Sequence, residues 1–78
     1  MTNALLDITG FDKDKDEAFK LSLNVKKIIA IAEDTFAIFD DVSCGYVEHV
    51  GCEITVDGNL CYKILEPYQE VKDKFARC

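Results

Sequence analysis

Two runs of strictly alternating apolar and polar residues dominate the C-terminal half of the chain, and a turn signal separates them. The apolar positions are Cys52, Ile54 and Val56 in the first run and Leu60, Tyr62 and Ile64 in the second. Alternation with a period of two predicts strands that each bury one face. Asp57-Gly58 favours a tight turn, and only a three-residue loop places all six apolar side chains on one face of a hairpin. We expect this register to put Gly58 last in the loop and Glu53 opposite Cys61.

A short helix is predicted from Pro67 to Ala76. Proline is favourable at the first helical position because its missing N–H needs no partner there. Glu70 and Lys74 form an i,i+4 pair in the favourable orientation. Apolar residues recur at helical spacing, and we expect them to pack on the apolar face of the hairpin. They are Tyr68, Val71, Phe75 and Cys78.

The N-terminal half carries strand signals that are less regularly spaced. Residues 19–25 alternate between apolar and polar, which predicts an amphipathic strand. Lys26-Lys27 marks a connection, and the apolar run of residues 28–32 is typical of a strand buried on both faces. Residues 36–39, which lie between acidic pairs, predict another strand.

Two segments stay open at this level. Residues 46–50 either form a further strand or lead directly into the C-terminal hairpin. Residues 1–11 form either a short helix or a first strand, although they fit neither pattern well, and residues 1–17 are left as an extended or a flexible N-terminal segment. The prediction is one α+β domain over residues 1–78, with an antiparallel meander of four to five strands and a C-terminal helix packed on one face.

Candidate chemistry is sparse. The four cysteines, Cys44, Cys52, Cys61 and Cys78, lack the close spacing of a zinc knuckle, and the predicted register places Cys52 and Cys61 on opposite faces. Free thiols are therefore expected. The acidic run of residues 12–17 lacks the glycine and the glutamate of a calcium loop, so it predicts a solvated loop. We expect no cofactor and no metal.

An enzyme is not predicted either. The chain has one histidine, His49, and no phosphate-binding glycine loop, nucleophile elbow or dinucleotide fingerprint. A pair of His49 with Cys44 or Cys52 is the one nucleophilic alternative, and no oxyanion hole accompanies it. The chain also lacks a long apolar run or a signal-peptide pattern, which favours a cytoplasmic protein without a membrane partner.

Charge carries most of the functional information. Fifteen acidic residues against nine basic ones give a formal net charge of −6. Such a surface repels nucleic acid and is complementary to a basic protein, although acidity that serves solubility alone is the simpler alternative. The candidate partner-binding residues are Glu33, Asp34, Asp40, Asp41, Glu48 and Glu53.

Residues 23–33 and 53–75 carry a resemblance to a known family. The first segment reads Leu-Asn-Val-Lys-Lys-Ile-Ile-Ala-Ile-Ala-Glu, and the second combines the Thr-Val-Asp-Gly-Asn hairpin with a helix bearing Gln-Glu-Val. They resemble the small flagellar and swarming-motility proteins and similar small phage and prophage proteins. The chain differs in having Val25 where the family has proline, in an apparent insertion over residues 35–50 and in its N-terminal extension. The resemblance implies a β-meander with a terminal helix and an interaction role without catalysis.

Two functions follow from these observations. The first is a small acidic, non-catalytic accessory protein, encoded by a phage or mobile element, that inhibits a basic nucleic-acid-handling protein in the host cytoplasm. The second is a structural or assembly subunit that forms a homodimer or larger homo-oligomer through strand pairing.

Overall fold

A computed structural model describes residues 4–77 and shows a five-stranded antiparallel sheet with one C-terminal helix. The predicted α+β class is therefore confirmed. The helix begins directly after Pro67, within a residue or so of the predicted bounds. The elements are β1 (Leu5–Asp12), β2 (Glu17–Asn24), β3 (Ile28–Asp40), β4 (Gly45–Val56), β5 (Leu60–Ile64) and α1 (Tyr68–Arg77), with a 3₁₀ turn, Val25–Lys27, between β2 and β3.

The strand order is β2-β1-β5-β4-β3, which departs from the simple meander that the sequence predicted. The departure arises at β1, which pairs with β2 along its full length and with β5 at Gly10↔Ile64 and Phe11↔Lys63. The segment that the sequence left open thus contains an internal strand of the sheet. It is extended, and hydrogen bonds hold it from both sides.

The sheet is coiled, because its two edge strands are joined by three residues. The end of β2 pairs with the start of β1, whereas the start of β3 pairs with the end of β4. In a flat sheet the end of β2 and the start of β3 would lie at opposite edges, too far apart for three residues to connect them. The Val25 N–H donates to the Ala4 carbonyl, and the Asp57 N–H donates to the Lys27 carbonyl at 2.8 Å. The link is therefore fixed at both ends.

One face of the coiled sheet encloses the core, and α1 covers it. Val71 of the helix is fully buried, and Tyr68 packs beside it. The Glu66 carboxylate accepts from the Thr9 N–H at 2.9 Å and lies 3.7 Å from Lys74 Nζ, which fixes the helix against β1. The core cluster consists of Leu6, Ile8, Leu23, Cys52, Ile54, Val56, Ile64 and Val71. Of the predicted helical stripe, Cys78 lies outside the described residues.

The β4–β5 hairpin confirms the three-residue loop, since Val56 pairs with Leu60. Two details of the prediction are wrong. Gly58 is the middle residue of the loop, not the last, and both Gly58 and Asn59 have positive φ. Glu53 faces Lys63, and Cys61 faces Thr55. The inferred face of each apolar residue is unaffected, because this register keeps Cys52, Ile54 and Val56 opposite Ile64, Tyr62 and Leu60.

The strands predicted at residues 28–32 and 36–39 form a single 13-residue strand, β3. The first of these segments is also not buried on both faces, because Ile29 is 63% exposed. The reason is that β3 is an edge strand of a single-layered sheet, in which only the inner face is covered. Residues 46–50 lead straight into the hairpin as part of β4.

Candidate functional site

Strands β3 and β4 continue beyond the rest of the sheet as a two-stranded arm. Pairing between β4 and β5 ends at Cys52↔Ile64, whereas pairing between β3 and β4 runs on to Asp40↔Gly45. We define the arm as residues 35–50. It accounts for the elongated molecule, which measures 48 Å in length against 23 and 18 Å.

A four-residue turn, residues 41–44, closes the tip of the arm. The Asp40 carboxylate accepts from the Val42 N–H at 3.3 Å, and Cys44 adopts a positive φ of 54°. The Cys44 thiol lies 3.5 Å from the Asp41 carbonyl oxygen. The Val42 side chain is 93% exposed at the extreme end. The tip therefore exposes the Asp41 carboxylate and the Val42 side chain to solvent, with the half-exposed Asp40 carboxylate beside them.

The base of the arm is anchored on the body of the domain. The buried ring of Phe36 stacks on Phe11 with a centroid separation of 5.8 Å, and His49 lies against its other side at 5.5 Å. The His49 Nε2–H donates to the Leu65 carbonyl at 2.7 Å. A Cβ on Gly51 would overlap the carbonyl oxygen of Ile64, so the close approach of β4 requires glycine there. These contacts hold the arm in one orientation.

Lys63 adds an electrostatic anchor at the same place. Its Nζ lies 2.5 Å from Asp34 Oδ2 and 3.2 Å from Glu53 Oε2. The hydrogen bond from Lys63 lowers the pKa of the Asp34 carboxyl, and the same bond raises the pKa of Lys63. The half-buried ammonium thus holds two carboxylates at the base of the arm.

One face of the arm exposes an aromatic pair. Phe39 and Tyr46 are cross-strand partners, with ring centroids 5.5 Å apart and planes at 73° in an edge-to-face arrangement. They are 40% and 70% exposed. Cross-strand partners share a face, so the neighbouring pairs on this side are Ala37↔Glu48 and Thr35↔Val50. We call these six residues the aromatic face.

All of the net charge lies in the β3–β4 hairpin. Residues 28–56 hold six acidic residues and no lysine or arginine, whereas the rest of the chain holds nine acidic and nine basic residues. The six acidic residues are the six partner-binding candidates predicted from the sequence. The structure thus places all six in one hairpin, formed by β3, β4 and the turn between them.

The six candidates do not form one patch. Asp34 and Glu53 contact Lys63 at the base, and Asp40 and Asp41 lie at the tip. Glu48 is on the aromatic face, while Glu33 lies opposite Cys52 near the base. Within residues 4–77, no lysine or arginine forms an ion pair with the remaining four acids. The charge of those four carboxylates is therefore not offset by a neighbouring cation within the described residues.

Sequence reasoning missed the aromatic pair and Lys63. Phe39 was assigned only to a strand, because its partnership with Tyr46 depends on the length of a turn that lacks Asn-Gly or Pro signals. Lys63 was expected diagonal to Glu53 and proves to be directly opposite it. The confinement of charge to residues 28–56 was visible in the sequence and would have indicated this hairpin.

The thiols and the histidine occupy separate environments. Cys44, Cys52 and Cys61 are free cysteines, and burial raises the pKa of the Cys52 thiol to about 11, with Glu66 and Asp34 adding to the effect. His49 is engaged by Leu65. In the described part of the chain no group of three or more His, Cys, Asp or Glu side chains is placed to hold a metal ion.

The geometry therefore presents exposed aromatic and acidic side chains on an arm that is anchored at its base. Comparisons with protein-family models, curated proteins and solved structures found no match. No helix within residues 4–77 has the length and hydrophobicity needed to cross a bilayer.

Proposed function

We propose that this protein is a non-catalytic binding protein whose β3–β4 arm engages a basic protein partner. The observation that carries the proposal is the confinement of the net charge of −6 to the hairpin of residues 28–56. The rest of the chain is neutral, with nine charges of each sign. Acidity needed only for solubility has no reason to concentrate on one protruding element, which speaks against that alternative.

The charge, the fixed orientation and the exposed apolar side chains of the arm would each favour binding to a partner. Carboxylates at the tip accelerate encounter with a positive surface, since exposed charges act mainly on the association rate. The anchors at Phe36, His49 and Lys63 fix the orientation of the arm before binding, which lowers the ordering entropy that the complex must offset. Exposed apolar and aromatic side chains beside the carboxylates supply contact area for the bound state.

The class of partner that fits this arm best is a nucleic-acid-handling protein. Such proteins present channels rich in lysine and arginine, which bind the regularly spaced phosphates of a backbone. A slim hairpin with carboxylates along both strands and at its tip can occupy a channel of this kind. Binding there would exclude nucleic acid, so the protein would act as an inhibitor of its partner.

Self-assembly through strand pairing is the second candidate. Among residues 4–77 no strand pairs with the outer side of β3, an edge of 13 residues that contains no proline, lysine or arginine, the residues that usually block edge pairing. Charge weighs against it. Full antiparallel pairing of two copies of Ile28–Asp40 would place Asp34 directly opposite its own copy, and like charges in that position are destabilising.

The test compares two variants of equal charge change. The arm variant neutralises Glu33 at the base of the arm and the three acids within the arm, none of which forms an ion pair among residues 4–77 (Glu33→Gln, Asp40→Asn, Asp41→Asn and Glu48→Gln). The control variant neutralises four acids at the β1–β2 turn (Asp12→Asn, Asp14→Asn, Asp16→Asn and Glu17→Gln). Proteins captured from extracts of the producing cells are identified, purified and titrated against wild type and both variants at several salt concentrations.

We expect a partner with a basic surface whose affinity falls with salt. The arm variant should bind roughly 5-fold or more weakly, because each exposed ion pair contributes roughly 0.2–1 kcal/mol, and the control variant should bind like wild type. Equal losses in both variants, or binding that salt does not affect, would exclude the arm as the electrostatic recognition element. A stable homo-oligomer in light scattering, without a basic partner, would favour strand-pairing assembly instead.

A further inference from the structure

The smallest side chain of the aromatic face, that of Ala37, lies at its centre. Ala37 lies between the Phe39–Tyr46 pair on the tip side and the Thr35–Val50 pair on the base side. Successive residues on one face of a strand are about 7 Å apart. Because alanine fills little of this spacing, the face has a notch above Ala37, and Glu48 stands directly opposite it on β4.

The notch combines three chemical features. One wall is the exposed aromatic pair, in which Tyr46 is 70% exposed and Phe39 is 40% exposed. The floor is the methyl group of Ala37. At the side is the Glu48 carboxylate, for which no ion pair is present among residues 4–77. An aromatic surface, an apolar floor and an anion together are complementary to a flat organic cation.

Arginine is the side chain that matches this combination. Its guanidinium is planar, weakly hydrated and able to stack on an aromatic ring while it donates two parallel hydrogen bonds to a carboxylate. A lysine ammonium is compact and strongly hydrated, and it gains less from a flat aromatic wall. We infer that the notch above Ala37 binds an arginine side chain of the basic partner, an inference that rests on the proposed function.

Charge complementarity selects this occupant over the alternatives. Face-to-face pairing with a second copy would bring another hairpin with six acids and no lysine or arginine against the same face, and the rest of that copy has no net charge to offset them. Nucleic acids and anionic lipid surfaces would meet the same repulsion. A basic protein segment neutralises the hairpin, and an arginine within that segment also covers the exposed aromatic rings.

The test uses two peptide probes, hepta-arginine and hepta-lysine, which have the same formal charge. Each is titrated into the full-length, isotope-labelled protein, and amide shifts in the NMR spectrum report both the affinity and the site. We expect the arginine peptide to shift Ala37, Tyr46 and Glu48 and to bind about 2–5-fold more tightly than the lysine peptide, the effect of one cation–aromatic contact at an exposed site.

Matched variants separate the notch from the overall charge. Ala37→Val fills the notch, and Ala30→Val is the same change at an exposed position of the same strand outside the arm. Neither changes the charge, and dispersed spectra verify that both variants fold. Ala37→Val should remove the preference for arginine and leave lysine binding unchanged, whereas Ala30→Val should alter neither.

The outcomes distinguish this inference from the proposed function beneath it. If both peptides bind the arm equally, or if Ala37→Val leaves the arginine preference intact, the notch is not an arginine site and the proposed function stands. If neither peptide binds the arm at low salt, the arm does not recognise basic segments, and the proposed function fails together with the inference.

Discussion

Two phenylalanines on β3, three residues apart, should differ sharply in what their removal costs. Phe36 is buried, stacks on Phe11 at 5.8 Å and has Lys63 Nζ 6.0 Å from its ring centroid. Phe39 is 40% exposed and contacts mainly Tyr46. Burial of a phenylalanine contributes about 1.5–3 kcal/mol, and an aromatic pair adds roughly 0.5–1.5 kcal/mol. Phe36→Ala should therefore lower the free energy of unfolding by about 3–5 kcal/mol, a range typical of buried phenylalanine.

Phe39→Ala is the internal control for this change. It loses the pair with Tyr46 and part of one ring's burial, so we expect a decrease of about 1 kcal/mol. Urea unfolding followed by circular dichroism measures both variants, since the chain has no tryptophan. A 78-residue domain has a stability of about 4–12 kcal/mol, so Phe36→Leu, expected to cost about 1–1.5 kcal/mol, keeps the position measurable if Phe36→Ala unfolds. Equal losses at positions 36 and 39 would refute the claim that the base of the arm is anchored and its tip is free.

Three further outcomes test other parts of the structure. Gly51→Ala should lower the free energy of unfolding by about 1–3 kcal/mol, because its Cβ would overlap the Ile64 carbonyl oxygen, whereas Gly45→Ala, with the Ser43 carbonyl oxygen 4.0 Å away, should have little effect in thermal melts. In a Cys78→Ser background, Cys44 and Cys61 should react with a thiol reagent at neutral pH while Cys52 reacts only on unfolding, since burial raises its pKa to about 11; early reaction of Cys52 would contradict its burial. Because the pKa of Asp34 is lowered in the folded protein, its contact with Lys63 stabilises the fold at pH values above the ordinary carboxyl pKa of 3.8. This stabilisation is lost as the pH falls from 3.8 through the lowered pKa of Asp34. The raised pKa of Lys63 means that the contribution is also lost as the pH rises above the ordinary lysine pKa of 10.5. Lys63→Met should therefore destabilise the protein in urea titrations at pH 7 and much less in acid in which the Asp34 carboxyl is protonated.

The strands that the sequence predicted best are those with one cleanly buried face. Where β4 pairs with β5, at residues 52–56 and 60–64, the inner positions are all apolar, so the alternation alone determined the register. In β1 the alternation of apolar inner and polar outer residues fails at two adjacent positions, Gly10 and Phe11. The inner position is Gly10, whose missing side chain is replaced by the ring of Phe19, and the outer position is Phe11, which is buried because the base of the arm covers it. Neither effect is local, so the sequence left residues 1–11 open.

Strand β3 was divided in the prediction for a related reason. Glu33-Asp34 interrupts its apolar pattern and resembles a loop. In the structure the strand continues, because Asp34 is partnered by Lys63 from β5 and Glu33 lies at the exposed edge of the sheet. A carboxylate inside a strand is tolerated when a cation lies beside it or when water reaches it. Whether a cation or water reaches a given carboxylate depends on the tertiary structure, so the sequence alone does not show it.

The sequence predicted the acidic residues of the candidate site but not how they are arranged. All six acidic residues were named from the sequence, since acidity is a property of composition. Their arrangement depends on the register of the arm, which is set by the turn of residues 41–44. That turn uses Cys44 at positive φ, where glycine or asparagine would be the recognisable choice. Without the register, the pairing of Phe39 with Tyr46 and the notch above Ala37 could not be derived.

The placement of Lys63 explains how one hairpin can be both acidic and stable. An isolated pair of strands with six carboxylates and no cation would repel itself. Lys63 is contributed by β5 and contacts two acids near the body, Asp34 and Glu53, so its positive charge offsets part of the repulsion within the hairpin. The Phe36 anchor lies in the same region, with its ring centroid 6.0 Å from the ammonium. The stabilising contacts are thus concentrated at the base of the arm, and for that reason we expect substitutions at the tip to leave the domain folded.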